Sequence, residues 1–87
     1  MNAIWKYTIQ GPRVTVEMPQ GAKILSLQVQ GNEPQIWALV DTSQWKVSRT
    51  FRAYPTGAEF DAAGLTYVGT FLINQGSLVF HVFEETP

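Results

Sequence analysis

Apolar and polar residues alternate with a period of two along most of this chain, and a turn-forming residue closes nearly every run. The clearest run is Arg13–Met18, in which Val14, Val16 and Met18 alternate with polar residues. Such alternation is typical of a strand with one buried face, and no segment has a clear helical period. The pattern therefore predicts an all-β domain, a small antiparallel sandwich or partly open barrel of six to seven strands.

The turn residues between the runs predict which strands are neighbours. The runs cover residues 4–9, 13–18, 23–30, 35–41, 49–54, 65–73 and 77–84. Gly11 and Pro12 separate the first two runs, and Gly followed by Pro favours a tight turn, so these runs are predicted to form a hairpin. Asn74-Gln75-Gly76 predicts a hairpin loop between the last two runs.

Two runs, Gln35–Asp41 and Ser77–Glu84, are apolar on both faces. Both therefore predict central strands, the second central or interfacial. A short buried helix has the same pattern as the first run, but the β-branched Ile36 and Val40 favour a strand.

Glycine punctuates the second half of the chain. Gly69 interrupts the sixth run and predicts a bulge, or the close approach of another backbone or a ligand. The longest irregular stretch covers residues 55–64, and one helical turn could form there around Glu59–Ala63.

Length and composition bound the organisation. The 87 residues predict a single β domain over positions 1–87. A chain of this size buries a modest fraction of its surface, and without Cys it has no disulfide to stabilise it. We therefore expect a homo-oligomer; a compact monomer with a dense aromatic core is the alternative.

Charge excludes some partners. The net charge is −1, which argues against general nucleic-acid binding and against a membrane-surface protein. We see no secretory signal pattern and no apolar run near the roughly 20 residues that span a bilayer. These features, with the absence of Cys, predict a cytoplasmic protein.

Catalytic and metal chemistry have little support. His81 lies among apolar residues, and it is either a functional imidazole or a hydrogen-bonded core residue. A hydrolase would need a Ser or Thr beside it, which the sequence cannot locate. One His with scattered carboxylates lacks the ligand spacing of zinc or calcium sites, so we expect no metal, no cofactor and no enzyme activity.

The richest group of candidate binding residues lies around the fifth run. Arg52 and Tyr54 project the same way, and a guanidinium beside an aromatic ring suits an anionic, aromatic ligand such as a nucleotide. A solvated strand face is the alternative. The remaining candidates are Arg49, Thr56, His81 and the loop residue Trp45.

Six segments resemble a small uncharacterised domain family encoded by tailed phages and prophages. They are IWKY, VEMPQGAKILSLQVQ, QIWALVD, RTFRAYPTG, LTYVGTF and SLVFHVFEE, which extend from Ile4 to Glu85. The resemblance implies a viral origin and action inside a host bacterial cell. It transfers no catalytic residues to this chain.

These observations lead to two functional hypotheses. The first is a non-enzymatic phage-type accessory protein that self-associates and sequesters a nucleotide-type host immune signal. The second is a protein-docking inhibitor or adaptor that acts on a host defence protein through exposed Trp and edge strands. The first rests on Arg52 and Tyr54 and on an analogy with the class of small homo-oligomeric proteins that sequester nucleotide signals.

Overall fold

The computed structural model describes residues Met1–Thr86, which fold into seven β-strands. The strands are β1 (Asn2–Thr8), β2 (Arg13–Pro19), β3 (Lys23–Gln30), β4 (Glu33–Asp41), β5 (Lys46–Pro55), β6 (Leu65–Ile73) and β7 (Leu78–Glu85). Within these residues no helix forms that could cross a lipid bilayer.

The strands form two antiparallel sheets that pack as a sandwich and do not close into a barrel. One sheet has three strands in the order β1-β4-β3, and the other has four in the order β2-β5-β7-β6. The predicted fold class is therefore confirmed. Strands β4 and β7 have a neighbour on each side, as their apolar sequences predict.

The two hairpins have the backbone geometry that their turn residues favour. Gly31 and Asn32 join β3 to β4 with φ angles of 58° and 64°, the left-handed pair that a two-residue hairpin turn requires. Asn74, Gln75 and Gly76 join β6 to β7, also with positive φ. The predicted hairpin of β6 with β7 is confirmed.

The predicted hairpin of β1 with β2 is wrong. Strand β1 pairs with β4 and β2 pairs with β5, so the two lie in different sheets. The Gly11-Pro12 segment turns, but its flanking backbone groups bond elsewhere: Ile9 N donates to Pro34 O, and Ala53 N donates to Pro12 O. The segment is therefore a crossover from one sheet to the other.

The core lies between the sheets and receives side chains from both. The largest side chains that are completely buried include Phe51, Met18, Ile36, Val40 and Val82. The outer face of the three-stranded sheet is less covered, because Leu39 on the central strand β4 is 37% exposed.

The single helical turn that the sequence allowed around Glu59–Ala63 does not form. Residues 58–62 are irregular and lie between turns at Thr56-Gly57 and Ala63-Gly64. Instead of winding a helix, this segment stacks the ring of Phe60 against Tyr54 on the outer face of the four-stranded sheet. A ring-to-ring contact of this kind can outweigh the marginal stability of a single helical turn.

Gly69 lies at a bulge, as predicted, and the group that approaches it closely is a side chain of the other sheet. A bulge in β6 lies between Tyr67 and Gly69. A Cβ atom added at Gly69 would lie 3.2 Å from Leu27 Cδ2 and 3.4 Å from Leu27 Cβ. The absent side chain therefore lets β3 and β6 approach each other.

Replacing Gly69 with valine is expected to lower the free energy of unfolding by about 1–3 kcal/mol, because the added methyl groups overlap Leu27. Urea denaturation measures the loss. The double variant Gly69→Val, Leu27→Ala tests the cause, since the smaller residue makes room and the two losses should not add. Losses that simply add would show that the contact with Leu27 is not responsible.

Candidate functional site

Two rows of side chains cross the outer face of the four-stranded sheet. In the first row, the register aligns Arg13 with Arg52, Arg52 with Phe83, and Phe83 with Tyr67. Strands lie about 4.8 Å apart, so the row spans roughly 14 Å from the cations to the aromatic rings. We call this surface the aromatic face.

Two guanidinium groups share one carboxylate at the cationic end of the row. Arg52 Nε donates to Glu85 Oε2 at 2.6 Å, and Arg13 Nε donates to the same oxygen at 2.8 Å. These hydrogen bonds lower the pKa of Glu85 to about 2, so the carboxylate is ionised at neutral pH. The three groups together carry one net positive charge.

A further carboxylate lies close to this cluster. Asp61 lines the same 310 Å³ cleft as Arg52 and Glu85, and its Oδ1 accepts a hydrogen bond from Ala63 N. The positive charge available to a ligand is therefore small.

Four aromatic rings form a continuous cluster at the centre and the far end of the face. Tyr54 and Phe60 stack with centroids 3.9 Å apart, and Phe60 and Phe83 lie 5.3 Å apart. Tyr67 contacts the other edge of Phe83 at 5.5 Å. Phe60 is 39% exposed and Tyr67 57% exposed, so both rings offer free surface.

A chain of hydrogen bonds runs through His81 in the second row, which aligns Tyr54, His81 and Thr70. His81 Nε2 lies 2.7 Å from Thr56 Oγ1, and Nδ1 lies 2.9 Å from Thr70 Oγ1. Thr70 Oγ1 lies 2.6 Å from the Tyr67 hydroxyl. Both ring nitrogens therefore have hydroxyl partners, and His81 faces outward rather than into the core.

The pairing of Thr56 with His81 is the hydroxyl–imidazole contact that a nucleophile and its base would make. The third member differs from a catalytic triad, because Nδ1 meets the Thr70 hydroxyl instead of a carboxylate. A hydroxyl supplies no negative charge to stabilise the imidazolium that forms during general base catalysis. The arrangement is better suited to donating and accepting hydrogen bonds.

Arg49 lies on the opposite side of β5, between the sheets. Its Nε donates to Glu84 Oε2 at 2.6 Å, its Nη2 to Glu84 Oε1 at 2.8 Å, and its Nη1 to Ala22 O at 2.5 Å. Burial raises the pKa of the Tyr7 hydroxyl on the facing sheet, and the positive charge of Arg49 partly opposes that rise. Arg49 therefore links β5 to Glu84 and to the backbone at Ala22, and it does not point toward the aromatic face.

Trp45 is also separate from this face. It lies in the loop between β4 and β5, where its carbonyl accepts a hydrogen bond from Gln20 N, and its side chain is 70% exposed. Of the six residues predicted as a ligand site, Arg52, Tyr54, Thr56 and His81 lie together on the aromatic face. Arg49 and Trp45 do not.

The sequence prediction missed six of the ten residues that form this surface. They are Arg13, Phe60, Tyr67, Thr70, Phe83 and Glu85. Strand parity offered a signal for two of them, because Phe83 and Glu85 lie two and four residues from His81 on the same side of β7. Arg13 and Tyr67 lie on other strands, and no local pattern indicates that strand pairing brings them to this face.

Metal ligands do not cluster in the part of the chain that the structure describes. No group of three or more His, Cys, Asp or Glu side chains is arranged there to hold an ion. The aromatic face therefore offers rings, hydroxyls, one imidazole and guanidinium groups as its chemistry.

The fold and this face define a class: a small antiparallel β-sandwich with an aromatic and polar surface on one sheet. A family model described as a domain of unknown function (DUF7352) matches residues 1–87, so the chain belongs to this family. The coarser part of the predicted resemblance, an uncharacterised domain family that covers the chain, is thus confirmed, and the phage or prophage origin stays a prediction. Comparison with curated proteins gives no match, and comparison with solved structures gives none.

Proposed function

We propose that this protein binds a nucleotide-type ligand of low charge on the aromatic face and does not transform it chemically. The observation that carries the proposal is the row in which Arg13 and Arg52 are followed by Phe83 and Tyr67. Guanidinium groups bind phosphate, and aromatic rings stack on bases. The row therefore offers phosphate-binding groups at one end and base-stacking rings at the other, which matches the arrangement of phosphate and base in a nucleotide.

The charges favour a single phosphate or phosphodiester over a polyphosphate. Arg13 and Arg52 carry two positive charges, and Glu85 neutralises one of them. Asp61 beside Arg52 further disfavours a second ligand charge. Cyclic nucleotides and nucleotides joined by phosphodiester bonds fit this balance better than triphosphates.

The exposed rings can hold the base. One face of Phe60 is covered by Tyr54, so a base that packs against its outer face would extend an existing stack. Stacking of a base on an aromatic side chain contributes about 1–3 kcal/mol. His81, Thr56 and Thr70 lie beside the rings and can bond to polar edges of the base or to a ribose.

The biological role we propose is that of a phage-type accessory protein. It would act in the cytoplasm of the host bacterium, where it would sequester a nucleotide that signals infection. The support for this role is the family resemblance and the low-charge ligand chemistry of the aromatic face. Occurrence of the gene inside phage and prophage genomes would test the origin separately from the ligand.

A panel of nucleosides, cyclic nucleotides, phosphodiester-linked nucleotides and triphosphates tests the ligand class. We expect low-charge nucleotides to raise the melting temperature by mass action and triphosphates to raise it less. Arg52→Ala is expected to weaken binding roughly tenfold or more, since one charge-assisted contact is lost. The unliganded variant should remain folded, because exposed ion pairs contribute little stability.

Lys23→Ala is the matched control, because it removes an exposed cation from the other sheet. This variant should bind as the wild type does, and Tyr67→Ala should bind more weakly. Equal losses in the Lys23 and Arg52 variants would mean that binding depends on overall charge. If no nucleotide shifts the melting temperature, the proposal is wrong.

Specific observations also favour the docking alternative, in which the protein inhibits or adapts a host defence protein. Exposed apolar side chains lie away from the aromatic face, among them Trp45 at 70% and Ile4 at 60% exposure. Exposed Trp is common at the centres of protein interfaces. A host protein whose binding is lost with Trp45→Ala and unaffected by Arg52→Ala would support this alternative over nucleotide sequestration.

A further inference from the structure

An apolar cleft of about 430 Å³ opens at one end of the sandwich. It lies where the chain crosses from β1 to β2, so the crossover forms part of its wall. Residues from both sheets line it, among them Ile9, Gln10, Pro12, Pro34, Pro55 and Phe71. The volume is within the range of about 300–1,000 Å³ that is typical of small-ligand sites.

The cleft offers few polar groups to an occupant. None of the described residues that line it is charged, and Pro12, Pro34 and Pro55 have no backbone N–H to donate. The carbonyl groups of Pro34 and Pro12 already accept hydrogen bonds from Ile9 and Ala53. A suitable occupant is therefore apolar and brings at most one or two polar groups, for which the Gln10 side chain is one partner.

An exposed apolar side chain of this kind, that of Trp45, lies at the opposite end of the sandwich from the cleft. Trp45 has an apolar body with a single N–H donor, and 70% of it is exposed. Trp45 precedes β5 and Pro55 ends it, so at 3.3 Å per residue the two positions lie about 33 Å apart. Trp45 therefore cannot fill the cleft of its own molecule.

We propose that Trp45 of one copy inserts into the cleft of a second copy, so that molecules associate head to tail. The size is suitable, because a cavity of about 150 Å³ holds benzene and the indole is a larger ring system. The contact is heterologous, joining different surfaces of the two copies. Neither surface belongs to the aromatic face, so the inference does not depend on the proposed ligand.

The area of this contact determines its strength. A Trp side chain buries about 150–250 Å². That is well below the roughly 800 Å² per partner of a stable interface. Association should therefore be weak and dependent on concentration, with Trp45 as its dominant contact.

Sedimentation or light scattering at increasing concentration tests the proposal with three proteins. The wild type should reach a mass at least twice 9.7 kDa. Trp45→Ala should weaken association by about 30-fold or more, the usual effect of losing a dominant interface Trp. Pro55→Glu should weaken it similarly by placing a charge at the cleft, and because Pro55 is exposed the variant should fold.

Mixing the two variants gives the decisive measurement. Trp45→Ala keeps an intact cleft and Pro55→Glu keeps an intact Trp, so an equimolar mixture should form a one-to-one dimer although each variant alone is monomeric. If Pro55→Glu is misfolded, Ala53→Leu takes its place in the experiment, because it narrows the cleft with an apolar group. The mixture of Ala53→Leu with Trp45→Ala should then form the same dimer. Circular dichroism checks the fold of each protein.

Ile4→Ala is the control, because Ile4 is 60% exposed on the outer face of the three-stranded sheet. It should associate as the wild type does. A wild type that stays monomeric at every concentration, association that survives Trp45→Ala, or a mixture that remains monomeric would each overturn the proposal. Loss of association in the Ile4 variant alone would assign the interface to the three-stranded sheet instead.

Discussion

Replacing Arg49 with alanine is expected to lower the free energy of unfolding by about 2–3 kcal/mol, because it leaves a partly buried carboxylate without its partner. The side chains of Arg49 and Glu84 are 20% and 18% exposed, and two hydrogen bonds join them. The same change removes the donor that bonds to the carbonyl of Ala22. Urea denaturation at neutral pH measures the loss.

A double variant tests whether the loss of stability comes from leaving Glu84 unpaired or from losing the ion pair itself. Arg49→Met with Glu84→Leu removes both charges and keeps similar volumes, so it should be much more stable than Arg49→Ala. Arg13→Ala removes an exposed partner of Glu85 and should change the urea midpoint little. An Arg49→Ala variant as stable as the wild type would contradict the stabilising role assigned to this ion pair.

Replacing Phe51 with alanine is expected to cost about 3–5 kcal/mol through the cavity that it leaves. The Phe51 side chain is completely buried between the sheets. In a domain of this size each kcal/mol shifts the melting temperature by about 4–8 °C, so the shift should be on the order of 20 °C. Calorimetry or thermal circular dichroism measures it.

The adjacent residue provides the matched comparison. Arg52 follows Phe51 but points to the opposite face of β5, so Arg52→Ala should shift the melting temperature by only a few degrees. A small shift for Phe51→Ala would show that the sandwich core tolerates a large cavity. Equal shifts for both variants would contradict the alternation of β5 between core and surface.

The positions of the strands could be read from the sequence, because alternation is a local property. Strand β2 shows this well: Val14, Val16 and Met18 point inward as their spacing predicts. The pairing of strands depends on contacts that are distant in the chain. Gly11 turns as expected, yet the strand that it follows pairs with β4, which is more than 20 residues away.

The candidate site was predictable only for residues whose alternating positions along one strand put them on the same side. Tyr54 and Arg52 share one side of β5, and the structure has them there. The same parity puts Arg49 on the side of Phe51, but an inward Arg requires an acidic partner on that side, and Glu84 lies 35 residues away. Thr56 and Thr70 beside His81 likewise depend on strand pairing, which no local pattern specifies.

The order of strands in the larger sheet has a consequence for synthesis on the ribosome. Strand β7 lies between β5 and β6, which do not pair with each other. The chain emerges in sequence order, so β5 can pair with β2 early, whereas β6 and the other edge of β5 must wait for residues 78–85 before their hydrogen bonds can form. Those residues also bring Glu84 to Arg49 and Glu85 to Arg13 and Arg52. The ion pair of Arg49 with Glu84 and the aromatic face are therefore completed together, in the same late step of biogenesis.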